Sequence, residues 1–447
     1  MTLRTSRLYL RTLQVVYDLC YLFIVIVGSP VIVVMCLVSG RWRAGLLQRL
    51  GSCPKREGDR PAIWIHGVSV GEVLAAKELV NLIHEQRPDL EVVLSTTTRS
   101  AQEAAQRAYA GHLVFYYPLD FSFATHRAVS RIRPSLVLLM ELEIWPNFLL
   151  TASLRGVPVL LANGRMSAKS ERDYLRLQHF IPEPMDRVAH YCVQTEEYAR
   201  RFRSVGVPED RITITGSMKF DNVADRLPDS VRESYAARLA IAPDAFVLMA
   251  GSTHGGEEEV VLDAYRDIRK RDPSARLVLV PRHPERFDEV EALVRARGLP
   301  VVRLSQLRED DPGSPDPADA VVVGDTVGEL AKLYAVASLV FVGGTLTRRG
   351  GQNMMEPAGL GKPVVVGPAT WNFRDPVELL LSRGGLVQAR DADGVAAALL
   401  SLHADPARRQ EVGDRARQVC LESKGATRRI LGILAGHTPR PTPEAAA

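Results

Sequence analysis

From Pro61 onward the chain alternates short apolar runs with longer segments of helical pattern, and this alternation constrains its fold more than any other feature. In the first half the runs are Ala62–His66, Val92–Thr96, Val114–Tyr116, Leu136–Met140 and Pro158–Ala162. In the second they are Phe246–Ala250, Arg276–Val280, Val321–Val323, Leu339–Val342 and Pro363–Val366. Helical stretches such as Val73–Glu85, Ala101–Ala110, Glu257–Lys270 and Glu285–Arg297 lie between them. Apolar runs bounded by turns and separated by helices predict strands of parallel sheets covered on both faces. A seam near Thr215-Gly216 leaves enough strand–helix units on each side for one Rossmann-like sheet, though neither side has a complete G-x-G-x-x-G fingerprint. The expected class is therefore α/β, with two doubly wound domains and a central cleft at the carboxyl ends of their strands.

Ahead of this body, Leu19 to Val38 runs for twenty residues without a charge. As a helix it would extend roughly 30 Å, about the hydrocarbon thickness of a bilayer. Gly28-Ser29-Pro30 interrupts the run and is expected to kink it, which lipid tolerates. A cleaved signal would have a shorter apolar core and a small-residue cleavage site, whereas Arg41-Trp42-Arg43 follows here at once. A retained transmembrane helix is expected. The formal net charge of +4 is too small to argue for nucleic-acid binding, but residues 1–60 hold nine Lys/Arg against three Asp/Glu. The larger positive cluster follows the span and should keep the body in the cytoplasm. Leu46, Leu47 and Leu50 among arginines suit either a helix on anionic headgroups or a solvated linker. A composition of 46% apolar and 24% charged residues excludes a disordered or collagen-like chain. Cys20, Cys36, Cys53, Cys192 and Cys420 are scattered and odd in number, as free thiols of a reducing compartment would be. The predicted domains are 1–60, anchor and basic juxtamembrane segment; 61–215 and 216–437, the two Rossmann-like domains; and 438–447, a disordered tail. Asp310–Asp319, rich in proline, reads as a surface loop.

The loops after the strands carry the chemistry. His66-Gly67-Val68-Ser69-Val70-Gly71-Glu72 is a strand end, a glycine-bearing loop and a helix start. An acid in a first helical turn is favoured by the helix dipole, so Glu72 serves either the helix end or a proton transfer. Glu141-Leu142-Glu143-Ile144-Trp145-Pro146-Asn147 places two acids after another strand, with Pro146 suited to a helix's first turn. In the second half, Gly251-Ser252-Thr253-His254 precedes an acidic helix start, Glu257-Glu258-Glu259; its amides and hydroxyls suit either a phosphate or plain caps. Pro281-Arg282-His283 brings an arginine, a bidentate donor for phosphate or carboxylate, to a strand's carboxyl end. Gly343 to Pro357 holds four glycines in nine residues, which points to close backbone approach, and Glu356 has the acceptor chemistry for a ribose diol. Gly216–Asp221 at the seam offers Lys219, and Gly324–Leu330 is a further strand-to-helix loop. There is no H-E-x-x-H, no P-loop and no G-x-S-x-G elbow, against metalloprotease, ATPase and serine-hydrolase chemistry.

In combination these motifs resemble the 3-deoxy-D-manno-octulosonic acid (Kdo) transferases of lipid A synthesis, membrane-anchored glycosyltransferases of GT-B fold. The markers are HGVSVGE (66–72), ELEIWPN (141–147), GSMKFD (216–221), PRHPERF (281–287), GDTVGEL (324–330) and GGQNMMEP (350–357). The resemblance implies CMP-Kdo as donor, a tetraacyl lipid A precursor as acceptor at the bacterial inner membrane, and no metal. It implies an acceptor domain before the seam and a CMP-Kdo domain after it. Glu72 matches the family's catalytic base, and Glu141 and Lys219 match positions that steady the transition state. Pro281-Arg282, Val327-Gly328-Glu329 and Asn353-Met354-Met355-Glu356 match stretches that hold CMP; Gly251, Ser252, Thr253 and His283 are expected beside them. Gln352 stands where the family has histidine, and Met354-Met355 where it has Pro-Leu. A soluble sugar-nucleotide epimerase and an anchored binding scaffold are the competing readings; the apolar span disfavours the first and the retained charged residues the second.

Overall fold

The computed structural model describes residues 6–38, 44–177, 185–307 and 317–439, with the backbone alone for 29–38 and 177. The chain forms two compact units, Met1–Asn222 with Lys424–Ala447, and Val223–Ser423.

In the first unit β1 (Ala62–Gly67), β2 (Glu91–Thr96), β3 (Leu113–Tyr116), β4 (Leu136–Met140), β5 (Val159–Gly164), β6 (His190–Val193) and β7 (Ile212–Ile214) form one sheet, ordered β3-β2-β1-β4-β5-β6-β7. Every pair is parallel. Alternate residues feed two cores: Ala62 and Trp64 pack with Phe115 and Phe148 on one face, Ile63 and Ile65 with Leu79 and Ile83 on the other. The second unit repeats the plan with β8 (Val247–Thr253), β9 (Arg276–Pro281), β10 (Val301–Arg303), β11 (Val321–Val323), β12 (Leu339–Val342), β13 (Val364–Val366) and β14 (Val387–Gln388), ordered β10-β11-β9-β8-β12-β13-β14 and parallel throughout. Each sheet reverses direction once, between β1 and β4 and between β8 and β12.

All ten expected strands are present. The four unforeseen ones, β6, β7, β10 and β14, have two to four residues each, and three are sheet edges, where half-buried backbone needs no long apolar run. The stretch expected as one helix over Val73–Glu85 is two, Val70–Ala75 and Lys77–Gln86, parted at Ala76. The boundary between units falls at Asn222/Val223 rather than at Thr215-Gly216, because Met218 is buried in the core of the first sheet. The final helix, Ala426–Ala435, also returns there, burying Ala426, Ile430, Leu431 and Leu434 against the face that holds Ile63 and Leu79. Asp221 caps that helix, accepting from the amides of Gly425 (2.5 Å) and Thr427 (2.6 Å). The second sheet's unit therefore ends at Ser423, short of the expected 437. Residues 440–447 of the predicted tail and 310–316 of the proline-rich loop lie outside the described residues.

The N-terminal helix runs from Arg7 to Val38, beginning twelve residues before the uncharged run, and Gly28-Ser29-Pro30 does not end it. It is long and apolar enough to cross a membrane. Leu46 and Leu47 are exposed, just ahead of a turn of wide helix at Gln48–Ser52. Cys20, Cys53, Cys192 and Cys420 are free thiols; the side chain of Cys36 lies outside the described residues.

Candidate functional site

In an open parallel sheet, two neighbouring strands whose connections leave in opposite directions open a crevice beyond their carboxyl ends. In the first unit the loops at that point follow β1 and β4, and they carry Glu72 and Glu141. Ser69 caps the helix Val70–Ala75, accepting from the Glu72 amide. The Glu72 carboxylate reaches back, accepting from the Ser69 hydroxyl at 2.7 Å and the Val68 amide at 2.8 Å. Glu72 thus does stabilise the helix end, as one of its two sequence readings held. Glu72 is only 8% exposed, and burial, followed by the neighbouring charge of Glu141, pushes its pKa up. A carboxylate so displaced toward neutrality is better matched to accepting a proton from a hydroxyl.

Glu141 follows β4 with φ of +57°, a left-handed conformation rare outside glycine. Its amide donates to the carbonyl of Ala162, and its carboxylate accepts from Arg165 Nε at 2.6 Å with Lys219 Nζ at 3.7 Å. Asn163, at +54°, holds the lysine's turn in place by accepting from the Met218 amide at 3.1 Å. With Ser252 in the second unit, three of the five non-glycine residues at positive φ among the described residues stand at strand carboxyl ends. Strain of about 1–3 kcal/mol at each is retained where surrounding contacts over-determine the backbone, as at binding sites. Glu143 accepts from the Trp145 indole at 2.9 Å, and burial, helped by Glu72 and Glu141, brings its pKa up to about 7. Arg165 and Asn163 were not singled out from sequence, whereas Glu143 was one of the two acids expected after this strand; Asn163-Gly164-Arg165, a polar triplet ending an apolar strand, was the available signal. His66 takes no part at the surface. It is buried, stacked on Tyr117 at 3.7 Å, and donates Nδ1–H to the Ser95 carbonyl; burial lowers its pKa to about 3, so it is neutral.

The second unit repeats this arrangement between β8 and β12. Gly251 lies near the end of β8, where a Cβ would meet the Tyr334 hydroxyl at 2.4 Å. Thr253 is buried, and its carbonyl accepts from the Arg282 amide at 3.0 Å, which ties the loop after β8 to Pro281-Arg282-His283 after β9. Glu257 is fully buried and joins the two loops at the crevice. Its Oε2 accepts from the amides of His254 (2.9 Å) and Gly344 (2.7 Å), and its Oε1 from Thr345 and Leu346 (both 2.9 Å). Sequence had counted this residue only as a charge at a helix start. Burial and then His283, Arg349, Arg286 and Arg282 together lower the His254 pKa to about 4, which marks the crevice as electropositive. Arg286 is held by Glu258 and Glu289, whereas Arg282 and Arg349 form no ion pair among the described residues. These are groups suited to an anion.

The remaining expected contacts divide by burial. Met354 and Met355 are buried core residues. Asn353 and Glu356 stay partly exposed and bond to each other, Nδ2 to Oε1 at 2.9 Å. Gln352 lies against His254. Glu329 accepts from Tyr235 (2.9 Å), Arg238 (3.2 Å) and Thr326, which fastens its loop to the helix Asp229–Arg238. Val327 is exposed beside Gly328, whose φ is +91°.

Two parallel seven-stranded sheets, each with charged loops at its reversal, define a GT-B type enzyme. Solved structures share this fold: a putative UDP-N-acetylglucosamine 2-epimerase of Listeria monocytogenes (TM-score 0.55, 14% identity, 86% of this chain and 99% of that one) and a glycosyltransferase of Rickettsia africae (0.53, 11%, 85% and 99%). Relatedness is closer elsewhere. The family model of 3-deoxy-D-manno-octulosonic-acid transferase (kdotransferase) matches residues 44–222. The 3-deoxy-D-manno-octulosonic acid transferase of Haemophilus influenzae is 32% identical over 94% of this chain and 96% of its own; that of Bordetella pertussis is 35% identical over 89% and 92%. The chain belongs to the 3-deoxy-D-manno-octulosonic acid transferase family, and is therefore a glycosyltransferase rather than an epimerase or an inert scaffold.

Proposed function

We propose that this enzyme moves Kdo from CMP-Kdo to a lipid A precursor, lipid IVA, in lipopolysaccharide biosynthesis, with inversion at the anomeric carbon. The observation that carries the reading is the buried Glu72 carboxylate beside Glu141 at the reversal of the first sheet. An acceptor sugar hydroxyl gives its proton to Glu72 while its oxygen attacks the anomeric carbon of Kdo. The bond from that carbon to the CMP phosphate breaks in the same displacement, so no sugar–enzyme bond forms. CMP leaves as an anion, met by Arg282 and the helix start at Glu257. Lys219 and Arg165 fix Glu141, which steadies the reacting centre. Asn353 and Glu356 hold the nucleotide. This chemistry calls for no metal, the phosphate having cationic partners. The N-terminal helix anchors the enzyme in the bacterial inner membrane with both units cytoplasmic, and so confines it to the plane of its lipid acceptor.

The direct test mixes purified full-length protein, CMP-Kdo and lipid IVA, with and without EDTA. A mass increment of one or more Kdo on the lipid, with released CMP and an unchanged rate in EDTA, is expected. No increment defeats the reading, and loss in EDTA defeats its metal-free form.

The pH profile provides a second test. Protonated Glu72 cannot act as a base, and its raised pKa keeps it protonated to a higher pH than an ordinary glutamate at 4.5. The acid limb of kcat/KM should therefore fall away at a pH above that value. Glu141→Gln removes a like charge and should move the limb down; Arg165→Ala removes a cation that lowers the Glu72 pKa and should move it up. A limb that neither substitution moves excludes Glu72 as its source.

A further inference from the structure

The N-terminal helix is more than apolar. Gln14, Asp18 and Tyr21 recur at the spacing of one helical face, and that face is docked on the first unit. The helices Ser122–Ile132, after Phe121, and Pro146–Leu154, after Trp145, begin without a side-chain cap of their own. Four amides at any helix start need outside partners. Asp18 supplies them for the first helix, accepting from the Ser122 amide at 2.8 Å and from the Ser122 hydroxyl. Asp120 supplies them for the second, accepting from the amides of Asn147 (3.0 Å) and Phe148 (2.8 Å), and its Oδ2 is also met by the Tyr21 hydroxyl at 2.8 Å. Asn147 joins the two carboxylates' segments, its Nδ2 donating to Asp18 Oδ1 at 2.8 Å and to the Asp120 carbonyl at 2.7 Å. Further along, Gln14 donates to the Thr151 hydroxyl at 2.9 Å.

The helix start fastened in this way is the far end of the loop Glu141–Trp145. Asn147 lies two residues beyond Trp145, whose indole holds Glu143. From this we propose that the docked half of the N-terminal helix is part of the catalytic scaffold, with Asp18 a positioning residue for the Glu141–Trp145 loop. The helix then has two jobs on one element. Its Gln14–Asp18–Tyr21 face fixes the loop, and its other face, with Val15, Val16, Leu19 and Phe23 exposed, remains apolar for lipid. The inference rests on the transferase reading only for its kinetic test.

In full-length protein in detergent, Asp18→Ala should lower kcat about ten- to a hundredfold, with the KM for CMP-Kdo unchanged, because the loop loses its geometry rather than its ligand groups. Asp18→Asn should restore most of the rate. Its carboxamide oxygen still accepts from Ser122 and Asn147, and its nitrogen can donate to the Ser122 hydroxyl. Val16→Ala, on the apolar face, should leave kcat alone. An unchanged kcat in Asp18→Ala, an effect on KM alone, or a loss that Asp18→Asn does not restore overturns the inference. Should the wild-type chain form no product, it is the functional reading that fails. The positioning role is then read from hydrogen exchange at the amides of residues 141–148, which Asp18→Ala should speed about tenfold. Unchanged exchange there rejects it.

Discussion

Glu72→Gln is expected to lower the rate of Kdo transfer by about 10²–10⁴-fold with the fold intact, the range for a single proton-transfer group. The substitution is informative because of how the carboxylate is held. One oxygen accepts from the Val68 amide and the other from the Ser69 hydroxyl. A glutamine oxygen can keep the first bond, and its nitrogen can donate to the serine oxygen after the hydroxyl turns. The helix start is thus preserved while the base is lost, and melting temperature should stay close to wild type. Side-chain truncation in Glu72→Ala would remove both functions and confuse them. Rates of Kdo incorporation into lipid IVA, measured beside thermal melting, check this. A glutamine variant within tenfold of wild type would show that another group takes the proton.

Glu257→Ala should have the second largest effect, and on a different property. It strips the acceptor from four backbone amides in a site without solvent. An unsatisfied buried group costs about 1–3 kcal/mol, and relaxation recovers some of this, so a loss of about 3 kcal/mol or more in stability is expected. Glutamine does not rescue here, since its NH₂ would face two amides that also donate. Tightness around the carboxylate adds to this: a Cβ on Gly343 would sit 2.4 Å from the Ser252 carbonyl oxygen and 2.7 Å from Glu257 Oε2. With the loops after β8 and β12 no longer joined, CMP binding measured calorimetrically should weaken about tenfold or more. Wild-type CMP affinity and melting in Glu257→Ala would show that the two loops hold their shape unaided.

Much of this architecture was readable from the chain. Central strands of a parallel sheet bury both faces, so β1, β4, β8, β9 and β12 had to be continuous apolar runs, and the loops bearing Glu72, Glu141 and Arg282 followed from the ends of β1, β4 and β9. The edge strands β7, β10 and β14 escaped because each is only two or three residues long and half-buried, and the interior strand β6 because its buried stretch has four residues. Arg165 and Asn163 escaped because their importance lies in what they meet: Glu141 is 24 residues from Arg165 in sequence, and the two touch only because β4 and β5 are neighbours. The N-terminal helix was read by its uncharged run, which hid the polar face that begins earlier at Gln14.

The sequence alone determined that there are two parallel sheets, where their ligand-facing loops begin, and which family the motifs resemble, because each of these is written in local pattern and short contiguous segments. Tertiary structure alone decided which acids share a crevice, that Glu257 staples two loops, that Asp221 caps a distant helix, and that the N-terminal helix is fastened to the helix start after Trp145. Those facts depend on which segments fold beside one another. A carboxylate's role is set by the donors and charges that packing brings to it, and linear order does not record them.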